Sequence, residues 1–113
     1  MAFLALCLDK ADGLPLRRAM RAVHLDYMIA RRHLILFGGP LLDDDGGSAL
    51  GSVIMLDLPD RDAVTAFLAE EPYSKAGLFE QVIIRRWRQM VPEPAPDTLA
   101  RELARERAAG SLP

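Results

Sequence analysis

Apolar side chains recur at Leu16, Met20, Val23, Tyr27 and Ala30, the alternating four-and-three spacing of one helical face. The spacing predicts a helix over residues 15–32, opened by Leu14-Pro15, where proline's missing N–H is no loss. Ahead of it, the run Phe3-Leu4-Ala5-Leu6-Cys7-Leu8 reads as a buried strand over 3–8. After it, Leu34-Ile35-Leu36-Phe37 gives a second strand over 34–38, which the breaker Gly38-Gly39-Pro40 is expected to end. The acidic, glycine-rich segment 43–47 is a turn or mobile loop, and residues 51–58 form a third strand. Pro59-Asp60 supplies a break and an N-cap for a helix through Ala63, Val64, Phe67 and Leu68, and Glu71-Pro72 stops it. After a short connection over 74–78, residues 79–90 carry Val82-Ile83-Ile84 and form the last strand.

The order βαββαβ is the ferredoxin-like plan of the α+β class, an antiparallel four-stranded sheet with two helices on one face. A sheet with one solvated face alternates apolar and polar residues. Here the first strand is apolar at successive positions. The third carries Ile54, Leu56 and Leu58 on one side and Val53 and Met55 on the other, and the fourth sets Val82 and Ile84 against Ile83 and Trp87. Both faces call for burial, two helices cover one, and a second copy of the chain is the simplest cover for the other. The expected assembly is therefore a homodimer.

A chain of 113 residues makes one domain and needs no staple, since a domain of this size buries roughly 65% of the surface its unfolded form exposes. The formal net charge of −2 lacks the basic excess of a nucleic-acid binder. Cys7 is the single cysteine, so an intrachain disulfide is impossible and no cysteine-based metal site is indicated; it reads as a buried structural thiol. Asp43, Asp44 and Asp45 lack the alternating ligand spacing of a calcium loop, and neither a metal nor a cofactor is expected. No apolar stretch approaches the roughly 18 residues that span a bilayer, and the N-terminal run is interrupted by Asp9 and Lys10, so the expectation is a cytoplasmic protein with no membrane or nucleic-acid partner.

The chemistry-bearing residue that stands out is His24, four residues after Met20 and four before Met28, at the border of the apolar stripe where a packing residue would serve. Arg17, Arg18, Arg21, Arg31 and Arg32 have room to face water. His33, at the end of the helix, suits the negative end of the helix dipole. Gly38-Gly39-Pro40 is a weak phosphate signal, because no helix begins there and no P-loop lysine follows; it better serves a close backbone turn beside a pocket.

The succession Asp9-Lys10, Leu16-Arg17, Arg21-Ala22-Val23-His24-Leu25, Gly39-Pro40-Leu41, Gly51-Ser52, Glu71-Pro72-Tyr73 and Ala76-Gly77 resembles the YciI-like family, in order and spacing, over roughly residues 3–90. The resemblance implies a dimeric α/β barrel in which two ferredoxin-like sheets pack face to face. It also implies a site in which a first-helix histidine pairs with the aspartate of an Asp-Pro-Tyr or Asp-Pro-Phe turn. His24 matches the histidine. Glu71 stands in place of the aspartate, its extra methylene carrying the carboxylate about 1.5 Å farther, and Ala22 stands where the family often has proline.

On this resemblance His24 and Glu71 are the catalytic pair, Arg17 and Arg21 are positions to hold an anionic substrate group, and Gly39, Pro40 and Tyr73 border the pocket. A carboxylate on one ring nitrogen fixes the tautomer and stabilises the imidazolium, leaving the other nitrogen for substrate, a role worth roughly 10²–10⁴ in rate. The implied activity is cofactor-free acid/base chemistry, an elimination or isomerisation, on a small organic molecule. The alternative is a non-catalytic dimeric domain that binds small molecules or serves as an accessory module.

Residues 1–91 form the domain, and residues 92–113 lie outside it. Pro92, Pro94 and Pro96 make a stiff linker, after which Asp97 can cap a short helix with Leu99 and Leu103 on one side and Arg101, Arg105 and Glu106 toward water. Such a helix is not stable alone. Docking on its own domain, docking on the dimer partner and disorder are all compatible with this composition.

Overall fold

The computed structural model describes residues 2–110. Strand β1 (Ala2–Asp9) is followed by α1 (Leu14–Ala30), a 3-10 turn (Arg32–Leu34), β2 (Ile35–Leu42), β3 (Ala49–Asp57), α2 (Arg61–Glu70), α3 (Pro72–Lys75), β4 (Phe79–Trp87) and α4 (Thr98–Gly110). The sheet order is β2-β3-β1-β4 with every neighbouring pair antiparallel, the ferredoxin-like arrangement. Among the described residues no helix is long and apolar enough to cross a membrane.

Register decides which side chains share a face. Ala5 pairs with Ile54 and Ile84, Phe3 with Leu56, and Cys7 with Ser52 and Val82. Phe3, Ala5, Cys7, Ile54, Leu56 and Ile84 form one buried layer with Val64, Phe67 and Leu68 of α2, and Tyr27 and Met28 of α1 pack against it. The alternate positions fall on the opposite face. There Met55 is fully buried, Leu4, Leu6, Leu8, Val53 and Ile83 are half-buried, and Phe37 and Trp87 are exposed at 48% and 40%. The doubly apolar strands of the sequence thus become a helix-covered face and a second face of partly exposed apolar side chains.

Helix α2 begins as its sequence predicts, with the Asp60 side chain accepting from the Ala63 N–H at 2.8 Å. Helix α1 differs in rotation. Val23 is 51% exposed and Ala30 lies outside, whereas Arg17 is only 4% exposed and His24, Tyr27 and Met28 turn partly inward. The stripe is displaced because Arg17 has a carboxylate waiting for it on β1, which lets a charged residue occupy the inner face. The helix also stops at Ala30, two residues early, and the chain continues as the 3-10 turn.

Gly38-Gly39-Pro40 does not end β2. The strand runs through it to Leu42, with Gly38 opposite Ile54 and Pro40 opposite Ser52. β2 lies at the sheet edge, where a residue without an N–H is tolerated. Strand β3 starts earlier than expected, at Ala49, and β4 ends earlier, at Trp87. The connection after Glu71 is a short helix, α3, terminated at Gly77, whose φ of 78° is open to glycine at little cost. Before α4 the Asp97 backbone takes φ 63°, and the Leu99 N–H donates to the Glu93 carboxylate at 3.2 Å, so that first-turn donor is met by Glu93 rather than Asp97. Leu99 and Leu103 remain 41% and 50% exposed.

Candidate functional site

A cavity of about 220 Å³ opens between α1 and the outer half of the sheet. Helix α1 contributes Arg17, Arg21, His24, Leu25 and Met28, and the strands contribute Gly38, Gly39 and Pro40 from β2 with Ser52 and Ile54 from β3. The residues of β2 that share the helix-facing side with Ser52 and Ile54 are Pro40 and Gly38. Neither has a side chain long enough to reach α1, so the gap beneath the helix stays open. Backbone approach fixes Gly38 further: a Cβ there would lie 3.1 Å from the Val53 carbonyl oxygen.

His24 stands at the wall of this cavity with its side chain 13% exposed. Its Nδ1 lies 2.5 Å from Glu71 Oε1. Since a carboxylate oxygen only accepts, this contact suits the tautomer with its proton on Nδ1 and leaves Nε2 without a protein partner among the described residues. Glu71 is wholly buried and has both oxygens occupied, because Oε2 accepts from the Ser74 N–H at 3.2 Å as the cap of α3. The turn thereby aims the carboxylate at the helix, and the longer glutamate side chain spans the distance.

Tyr73 braces the ring from behind. It stacks on His24 with centroids 4.0 Å apart and planes 14° apart, and it meets Phe79 edge-on at 6.3 Å. The Arg17 guanidinium lies 4.6 Å from the same tyrosine ring. Arg17 Nε donates to Asp9 Oδ2 at 2.7 Å, and Nη2 donates to Asp9 Oδ1 and to Ser52 Oγ, each at 3.0 Å. Burial works against this charge, but the Asp9 carboxylate, and after it Tyr73, hold the guanidinium above its ordinary pKa. Beneath the pair, burial pushes the Cys7 thiol up to about 12, with Glu71 and Asp9 adding to the shift and Arg17 opposing it. Cys7 is a packed, protonated thiol and not a nucleophile.

Of the residues singled out in the sequence, His24, Arg17, Arg21, Gly39 and Pro40 meet at one cavity, and Glu71 reaches His24 from behind. Two differ from expectation. Tyr73 does not border the cavity; it is fully buried and supports the imidazole. Arg17 does not face water, because Asp9 and Ser52 saturate one edge of its guanidinium inside the protein. Sequence reasoning missed Asp9, Ser52 and Met28 as parts of the site. Ser52 carries a readable signal, since strand alternation sets it on the same side as Ile54 and Leu56, a hydroxyl on an apolar face. Among the described residues no three histidine, cysteine, aspartate or glutamate side chains converge as a metal-ligand set.

Comparison with known proteins adds to this geometry. The family described as the YCII-related domain matches residues 1–88. Protein YciI of Escherichia coli O6:H1 and Protein YciI of Shigella flexneri are each 27% identical over 97 residues, spanning 80% of this chain and 99% of theirs. Among solved structures, the 5-chloro-2-hydroxyhydroquinone dehydrochlorinase TftG of Burkholderia phenoliruptrix AC1100, in complex with 2,5-dihydroxybenzoquinone, superposes with a TM-score of 0.74. It is 32% identical, over 79% of this chain and 95% of that one.

Proposed function

Because this chain belongs to the YCII-related family, we propose that it is a small-molecule enzyme of acid/base chemistry, an elimination or isomerisation without a cofactor, with His24 as proton carrier and Glu71 as its orienting carboxylate. The observation that carries the reading is the 2.5 Å contact between His24 Nδ1 and a buried Glu71 oxygen, made by a histidine that borders the cavity. A ring held this way has one nitrogen fixed and one free to exchange protons with a ligand. The likeness to TftG, a dehydrochlorinase, supports the class, because loss of HCl moves a proton as well as chloride and so calls for a group that carries protons.

In an elimination, Nε2 takes a proton from a C–H or O–H of the ligand, the electron pair left behind moves into the new C=C or C=O bonds, and the leaving group departs with its own electron pair. In an isomerisation the same nitrogen returns the proton at another carbon. In both, the Glu71 carboxylate stabilises the transient imidazolium, and a dry backing of Tyr73 strengthens that interaction. Gly39 and Pro40 serve as floor for the ligand, and Tyr73 and Arg17 hold the base in place. The working assembly in this reading is a homodimer.

The test begins with turnover of 5-chloro-2-hydroxyhydroquinone and related small phenols and acids. His24→Ala should lower kcat by at least about 100-fold, and Glu71→Gln should lower it less, since it leaves the proton carrier in place. Full activity in His24→Ala would remove His24 as the proton carrier, whereas absence of turnover in the native protein would favour the non-catalytic binding alternative.

A further inference from the structure

We infer that the cavity takes a small organic monoanion with an apolar body, and that Arg21, not Arg17, receives its charge. The inference deepens the acid/base reading and rests on it for the cavity being the substrate site. Among the described residues the cavity walls contain no carboxylate; beside the two arginines and His24 they offer Ser52, glycine and proline backbone, and the apolar side chains of Leu25, Met28 and Ile54. The two arginines are not equivalent. Arg17 has Nε and Nη2 committed to both oxygens of Asp9 and to Ser52, so its charge is compensated before any ligand arrives. Arg21 is exposed and makes no ion pair among the described residues.

One uncompensated cation at the edge of a cleft with low-dielectric walls selects for negative charge and against positive. A guanidinium does so best for a planar two-oxygen group, which it grips with two parallel N–H donors. Arg21 precedes His24 by three residues on α1, which puts the two side chains on adjacent turns of one face, about 5–6 Å apart at Cβ. A ligand anchored at Arg21 therefore presents atoms one or two bonds from its charged end to the imidazole. Leu25, Met28 and Ile54, with Gly38 leaving the floor bare, define an apolar space for the rest of it. At about 220 Å³ the space is below the roughly 300–1,000 Å³ of drug-sized sites, which restricts the body to a single ring or a short chain.

The experiment is an NMR titration of the full chain with benzoate, with neutral benzyl alcohol of similar shape, and with benzylammonium. Benzoate should shift signals around Arg21 and His24 saturably, bind at least about tenfold more tightly than benzyl alcohol, and weaken as salt rises. Benzylammonium should not bind at the cavity. Arg21→Gln should cost benzoate about tenfold in affinity, while Arg21→Lys retains part of it and His24→Ala retains binding. Should Arg21→Gln misfold by circular dichroism, the salt dependence and the Arg21→Lys variant carry the same decision. Equal affinity for benzoate and benzyl alcohol, absence of benzoate binding at millimolar concentration, or unchanged benzoate affinity in Arg21→Gln overturns the inference. The two readings fail separately. If His24→Ala keeps full turnover while benzoate still depends on Arg21, the acid/base reading falls and the anion site stands; if His24→Ala loses turnover while benzoate ignores Arg21, the reverse holds.

Discussion

Arg17 and Arg21 lie one helical turn apart on α1 and occupy opposite environments, one buried in a forked ion pair and the other open to solvent. Removing one partner of a buried pair strands the other, at a cost of about 3–5 kcal/mol. Arg17→Gln, which leaves Asp9 unmatched, should therefore lower the unfolding free energy by that order in chemical denaturation, whereas Arg21→Gln should change it by less than about 0.5 kcal/mol. Equal effects would show that the two arginines share one environment. Cys7 carries a pH signature of its own. Folding raises its pKa from the ordinary 9.0 to about 12, so above pH 9 the unfolded chain releases a proton that the folded chain keeps. The associated stability is intact below about pH 9 and is lost as pH rises toward about 12. The unfolding free energy of the native protein should consequently fall more steeply over that range than that of Cys7→Ala, and parallel slopes would contradict the shift. His24 was legible in the sequence because a titratable residue beside an apolar stripe is conspicuous. Arg17 was not, because an arginine on a helix reads as solvated until its carboxylate, on another element, is known.

At the scale of elements, the boundaries set by local chemistry were the legible ones. Asp60 announces α2, and Glu71-Pro72 marks its end. The misreading at β2 has a different source: Gly-Gly-Pro is a breaker by propensity, yet an edge strand tolerates it, and edge position is a property of the sheet and not of the segment. That segment also makes the cavity, since two helix-facing positions on β2 carry no long side chain. The adjacent glycines should respond differently to one methyl group. At Gly38 a Cβ meets the Val53 carbonyl oxygen at 3.1 Å, so Gly38→Ala should lower the denaturation midpoint; at Gly39 no atom of the described residues lies within 4 Å, so Gly39→Ala should be neutral or slightly stabilising. A neutral Gly38→Ala would mean that β2 and β3 approach less closely than described. The rotation of α1 is a further departure, and it follows from the buried Arg17, which no periodicity of apolar residues can register.

For the whole molecule, the element order was enough to give the sheet, because βαββαβ with short connections leaves few ways to bury two helices against four strands. Assembly is a further step, which we propose from the face opposite the helices. Leu4, Leu6, Leu8, Val53 and Ile83 lie there half-buried, with Phe37 and Trp87 exposed beside them. Apolar side chains gathered on one sheet face are the kind of surface that marks an interaction site, and a second copy offering the same face closes both at once. Leu6 lies centrally, on the interior strand β1, paired with Val53 on one side and Ile83 on the other. Its side chain points away from the layer formed by Ala5 and Cys7, so a lysine there can reach solvent in a free protomer without disturbing the helix-covered core. In a dimer closed by that face, two lysines would be buried against each other without partners, a cost of several kcal/mol. Light scattering should accordingly find the native protein dimeric at micromolar concentration and Leu6→Lys folded but monomeric. A native monomer, or a Leu6→Lys dimer as tight as the native one, would leave the apolar face without the partner proposed for it and place any association elsewhere on the molecule.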